Sequence, residues 1–194
     1  MKELANNLEK KGYKVSMFET AAEAAEYLNG KIDGKTVAIG GSMTAKEMAL
    51  DESLKKHNTL FWHWLGDKRE DAMQTDVYIS SVNGIAETGE IVNIDGNGNR
   101  LAGTLFGHQE LYLLVSKNKV AADLSGAIER ARNVASPKNA CRFNVKTPCV
   151  ASGGEKCFDC KSPERICKAL LVFWEKPNGI PYQEVVLINE DMGY

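Results

Sequence analysis

The chain has 194 residues, 43% of them hydrophobic, which suffices for one domain with a substantial core. Its 24 Lys and Arg against 26 Asp and Glu leave a formal charge of −2 and a pI of about 6.0, with the basic residues dispersed rather than gathered into a stripe. That excludes the electrostatic footprint of a nucleic-acid binder, and neither an apolar leader nor a run of ~18 apolar residues suggests export or a membrane span.

A soluble cytoplasmic protein is therefore expected. Leu4 and Leu8, at i and i+4, predict a short amphipathic helix ending at Gly12, followed by a strand over residues 14–18. Thr20 opens a second helix that runs to Gly30, and Gly34 turns the chain into a β-branched strand over residues 36–39. Gly40 and Gly41 break that strand, and helical spacing resumes over residues 42–50, closing at Leu54. Thr44-Ala45-Lys46-Glu47 fits a capping box, which predicts a helix N-terminus beside the strand's carboxyl end. Glycines that admit a ligand, helix amides and the hydroxyls of Ser42 and Thr44 together suit a phosphate or carboxylate. The same turn also reads as ordinary strand-to-helix packing, so context decides.

Residues 59–62 read as a strand, 68–74 as a polar helix and 76–80 as a further strand. Such alternation predicts an open, mostly parallel α/β sheet with helices on both faces, in one domain spanning residues 1–194. From Ser81 the texture changes: residues 83–89 and 90–94 form two short extended runs, then 95–100 are dense in turn formers. Asp95, Asn97 and Asn99 alternate as in a calcium loop, but the twelfth position holds Phe106, so a turn without metal is the expectation. Residues 111–116 read as a buried strand, 121–135 as an amphipathic helix stopped before Pro137, and 169–174 and 184–189 as two apolar strands.

The most specific local signal is a cysteine-rich segment over residues 141–167: Cys149-x7-Cys157-x2-Cys160-x6-Cys167, with Cys141 as a spare. Five cysteines in a chain without an export signal favour thiols or metal ligands over disulfides. A C-x-x-C pair with two outer cysteines could complete a zinc site or hold an iron–sulfur cluster; a redox dithiol at Cys157 and Cys160, or inert thiols, are the other readings. Glu87, at a strand end before Thr88-Gly89, is either a general base or nucleophile or a solvated carboxylate. Asn99-Arg100 offers donors to an anion or is simply solvated. His57, His63 and His108 are too scattered for a histidine metal site; packing or surface roles are expected, with a proton shuttle at His63 or His108 as the alternative.

The succession GGSMT, NGIAETGEIVNIDGNGNR, AIERARNVASPKNACR, PC…GEKCFDCKSPERIC and VVLINEDMGY resembles the LUD domain family of lactate-utilisation (LutC-like) proteins, over nearly the whole chain. The resemblance implies the fold of the NagB/RpiA/CoA-transferase-like superfamily and a phosphate- or cofactor-holding turn at Gly40, Gly41, Ser42 and Thr44. It also places the family's acidic motif on Glu87, Thr88 and Gly89, followed by Asn99 and Arg100. Some CoA transferases of related fold carry the acyl group on a glutamate, so it draws attention to Glu87. The expectation is an anionic small metabolite bound at Gly40–Thr44, Glu87–Gly89 and Asn99-Arg100, with Cys149, Cys157, Cys160 and Cys167 holding zinc or an iron–sulfur cluster. Two alternatives are an accessory subunit docking an iron–sulfur or redox partner protein, and an acyl-CoA transferase or hydrolase acting through Glu87. A homo-oligomer is compatible with all three.

Overall fold

Strands of near-continuous apolar residues must be covered on both faces. The computed structural model, which describes residues 1–194, meets that need with layers on either side of a central sheet. In chain order the strands are β1 (Lys14–Phe18), β2 (Thr36–Ile39), β3 (Thr59–Phe61), β4 (Val77–Ser81), β5 (Gly84–Ala86), β6 (Ile91–Asp95), β7 (Glu110–Ser116), β8 (Val120–Ala121), β9 (Ala169–Phe173) and β10 (Tyr182–Ile188). The helices are α1 (Lys2–Lys10), α2 (Ala21–Lys31), α3 (Met43–Glu47), α4 (Leu50–Leu54), α5 (Asn99–Leu105), α6 (Leu124–Arg130), α7 (Ser136–Phe143) and α8 (Pro148–Ala151).

Six strands form an all-parallel sheet in the order β1-β10-β7-β4-β2-β3. Period-two alternation sends Val37, Ile39, Val77, Ile79, Tyr112, Leu114, Val186 and Ile188 into one core with α2, α3 and α4. The intervening Ala38, Tyr78, Leu111, Leu113, Val115, Val185 and Leu187 enter a second core with Leu4, Ala5 and Leu8 of α1. The expected open parallel α/β sheet with helices on both faces is what the chain forms.

A second sheet, in the order β8-β5-β6-β9, lies over the second core through Ile85, Ile91 and Phe173. Its other side packs Ala86 and Val92 against Ala127 of α6 and the following Ala131. The extended runs after Ser81 thus build a small sheet of their own. Residues 169–173 complete it by pairing antiparallel with β6.

Several elements differ from the sequence expectation for identifiable reasons. The helix after the glycines starts two residues earlier than the Thr44 box implies: Ser42 is its cap, accepting from the Ala45 amide at 3.0 Å. It then breaks at Ala49, whose φ is +50°. Residues 68–74 contain only a 3-10 turn at Asp71–Gln74. The turn-rich stretch leads directly into α5, because the Asp95 carboxylate accepts from the amides of Gly96, Asn97 and Arg100 and so organises the helix entry. Pro137 does not stop a helix. A π-helical turn at Ala131–Ala135 widens the coil ahead of it, the Ser136 hydroxyl donates to Ala131 O at 2.9 Å, and the helix continues as α7.

Candidate ligand cleft

From β2 the chain moves outward to β3, then crosses to β4 on the other side of β2, so the strand order reverses between β2 and β4. In open parallel sheets, ligands bind beyond the strands' carboxyl ends at such a point. A cleft of about 410 Å³ opens there, lined by Gly41, Met43 and Thr44 after β2 and by Ser81, Val82 and Asn83 at and after β4. Its walls come from His63 and Trp64 after β3, from Ile94 and Asp95 at the end of β6, and from Asn139 and Arg142 of α7. Residues 163–168 of the cysteine-rich segment form a further side.

The lining carries six basic side chains, Arg69, Arg100, Lys119, Arg142, Arg165 and Lys168, against the two carboxylates of Asp95 and Glu164. Both carboxylates already accept from backbone amides: Asp95 at the entry of α5, Glu164 from the Lys146 amide at 2.6 Å. An excess of positive charge in a partly desolvated concavity favours an anion.

Lys119, in a 3-10 turn after β7, is 1% exposed. Its Nζ donates to Thr44 Oγ1 at 2.7 Å, one bond for a group with three donors. Burial, followed by the nearby Arg130 and Arg100 guanidinium groups, pulls its ammonium down to a pKa of about 7. Gly193 covers this pair. A Cβ there would stand 2.7 Å from Thr44 Oγ1 and 3.4 Å from Lys119 Nζ, so no side chain fits. His63 borders the cleft beside Gly41; burial, then Arg69 and Arg142, lower its pKa and favour the neutral imidazole. Arg142 lies over the Trp64 ring, 4.7 Å from its centroid, which ties α7 to the loop after β3.

The residues singled out in the sequence divide sharply. Gly41, Thr44, Asn99 and Arg100 line the cleft. Ser42 is buried with its hydroxyl spent on the helix cap. Gly40 serves packing, since a Cβ there would meet Tyr78 Oη at 2.8 Å, Ser80 Oγ at 3.2 Å and Arg100 Cγ at 3.3 Å. Arg100 is committed to the fold: Nη1 donates to Ser81 O at 3.1 Å and Asn93 Oδ1 at 2.6 Å, while Nη2 donates to Asn83 Oδ1 at 2.7 Å and Ile94 O.

Glu87, Thr88 and Gly89 do not line the cleft. They form the closed end of the β5–β6 hairpin, where Asn7 Nδ2 of α1 donates to Glu87 O at 2.8 Å and Gly89 stands against Lys11. The cleft lies at the hairpin's open end, and the length of β6 separates the two by roughly 13 Å. His108 is buried away from the cleft, its Nδ1 donating to Thr75 O at 2.7 Å and its ring stacked on Tyr78. His57 faces Asp33 at 3.0 Å.

Cys149, Cys157, Cys160 and Cys167 converge on one cavity of about 20 Å³ next to the cleft, and Cys167 and Arg165 border both. No three His, Cys, Asp or Glu side chains stand close enough to share a single ion. Sequence reasoning missed Lys119, Arg69, Arg142 and Arg165. No spacing marks them, because they reach the cleft from four separate loops and helices.

Fold and site together define a layered parallel α/β protein with a basic crevice at its topological switch point. The chain belongs to the LUD domain family, whose pattern matches residues 1–188; the family is associated with lactate utilisation. No curated protein matches the chain. Among solved structures it is similar to a DUF162 family protein from Deinococcus radiodurans, at 11% identity and a TM-score of 0.59, over 96% of this chain and 94% of that one. That likeness shows a shared fold. A ribose 5-phosphate isomerase from Plasmodium falciparum matches over 52% of each chain at 13% identity and a TM-score of 0.35.

Proposed function

We propose that this LUD domain binds a small anionic metabolite of the hydroxy- or keto-carboxylate class in the switch-point cleft, as part of lactate-type organic-acid metabolism. One observation carries the reading: a concavity at the strand-order reversal with six basic side chains, in which both carboxylates are already engaged by amides. Arg69 and Arg142 supply long-range attraction at the walls, and Lys119 supplies unfilled donors on the floor beside Thr44.

The same lysine gives the site a chemical capability. An ammonium held near pKa 7 exchanges its proton readily at neutral pH, so Lys119 can deliver a proton to, or take one from, a bound hydroxy or keto group. His63, which also lines the cleft and whose lowered pKa favours the neutral imidazole, is a second proton carrier.

Calorimetric titration of the full chain with lactate, pyruvate and a sugar phosphate tests the reading. Carboxylate binding should weaken about 10-fold or more in Lys119→Met, the order expected for losing a charge-assisted hydrogen bond, and about 2- to 3-fold, in a salt-dependent way, in Arg69→Ala. Affinity should also fall as pH rises through about 7 and the Lys119 ammonium is lost. No binding by any of the three anions, or binding indifferent to both substitutions, overturns it.

A further inference from the structure

We propose that Cys149, Cys157, Cys160 and Cys167 are the four ligands of an iron–sulfur cluster seated between α7, α8 and residues 157–167. The cluster is distinct from the anion cleft and does not depend on the reading given to it. Four thiols from three separate stretches of chain line one cavity whose other walls include Pro137, Ala140, Phe158 and Ile166, a largely apolar setting. All four are free thiols.

The four cysteines border one cavity without being gathered around one point, and that bears on the kind of centre. A single tetrahedral ion needs its sulfurs drawn to within about 2.3 Å of one point, and no three ligating side chains approach that arrangement. In a cubane cluster each thiolate binds its own iron, so the four thiolate sulfurs stand farther apart than around a single ion, which four cysteines bordering one cavity permit.

Local structure already resembles a prepared ligand loop. Between Cys157 and Cys160, Asp159 is left-handed, at φ +44°, and its amide donates to Cys157 Sγ at 3.3 Å. Amide hydrogen bonds to sulfur stabilise thiolates and tune cluster potential. Arg165 fixes the backbone of two ligands, donating to Cys160 O at 2.7 Å and Cys167 O at 2.8 Å. Arg132 and Arg165 both border the cavity, sharing Asp159 as an ion-pair partner at 3.3 and 3.2 Å, and the two cations against one carboxylate leave a net positive charge beside the thiols.

The chain around the cysteines also needs a cross-link. Residues 152–168 contain neither helix nor strand, a longer irregular run than the roughly 12–15 residues usual in packed domains. A cluster would staple that run to α7 and α8. Because residues 163–168 also line the ligand cleft, cluster assembly would order one of its walls.

The test is anaerobic purification and reconstitution of the full chain with ferrous iron and sulfide, followed by iron and acid-labile sulfide determination and visible absorption. The expected result is roughly four iron and four sulfide per chain with charge-transfer bands. Both should be lost in the Cys157→Ser, Cys160→Ser double variant and retained in Cys141→Ser, whose thiol lies outside the cavity. Alkylation of the reconstituted wild-type chain guards against a variant that misfolds: Cys141 should label while the four ligands are protected. One zinc without sulfide, no metal, iron retained by the double variant, or equal labelling of all five cysteines each overturns the proposal.

Discussion

Lys119 Nζ donates to Thr44 Oγ1 at 2.7 Å, a bond that joins the loop after β7 to the first turn of α3 across the floor of the cleft. The two residues are 75 positions apart and each is almost fully buried. Their contact places a buried amine beside the glycine turn after β2.

The buried lysine makes stability depend on pH with a definite sign. Its folded pKa of about 7 lies below the ordinary lysine value of 10.5, so between these limits the unfolded chain holds more protons than the folded one. Stability should therefore rise with pH across that window and level off below about 7. At about 1.4 kcal/mol per unit, and allowing for relaxation, the gain is on the order of 2–3 kcal/mol. Urea denaturation of the wild type and of Lys119→Met at neutral and alkaline pH measures it; the variant should lose this slope.

Arg100 is expected to behave as a structural residue. Its guanidinium is buried and makes four hydrogen bonds, which tie α5 to the ends of β4 and β6. Arg100→Ala leaves their acceptors unsatisfied and should cost roughly 3–5 kcal/mol. Arg100→Lys cannot reproduce the fork and should recover less than half. Chemical denaturation midpoints decide; a loss below ~1 kcal/mol would contradict the assignment.

At the amino-terminal end of the sheet, Glu184 is 1% exposed and receives hydrogen bonds from Lys31 at 2.7 Å, Ser16 at 2.5 Å, Tyr27 at 2.8 Å and Tyr182. Burial pushes its pKa up, but these donors outweigh it, and the net shift is below the usual 4.5. The stabilisation is thus present above about pH 4.5 and lost as pH falls through the lower folded value. Glu184→Gln should cost roughly 2 kcal/mol at pH 7 and abolish this part of the acid sensitivity, which a pH series of thermal melts would show.

Gly103 of α5 lies against Tyr78. A Cβ at that position would stand 2.6 Å from the ring, so Gly103→Ala must displace a buried aromatic or the helix. Alanine ordinarily stabilises a helix by up to ~1 kcal/mol over glycine; here the sign should reverse, with a net loss of about 2 kcal/mol by denaturation.

Glu87→Gln should leave anion binding in the cleft unchanged within twofold, because residues 87–89 occupy the opposite end of the β5–β6 hairpin. Titration of the variant with the same carboxylates checks this. A tenfold loss would mean that the hairpin loop communicates with the cleft.

The parallel α/β class was legible in the sequence, because apolar runs alternating with helical periodicity at this spacing leave few other ways to bury both faces of the strands. The sequence also marked the glycine turn and the four cysteines, since both signals are local: backbone freedom at Gly40-Gly41 and close thiol spacing at Cys157 and Cys160. Tertiary structure decided what those residues are for. Gly40 is needed by Tyr78, 38 positions away, Ser42 is spent on its own helix, and Arg100 is held by four acceptors that only the packing of α5 on β4 and β6 brings around it. It also decided where the charge lies. Lys119, Arg69, Arg142 and Arg165 become neighbours only when the strand order reverses and α7 folds over the crevice, and burial, which shifts the lysine's proton affinity, is a property of the assembled layers rather than of any segment.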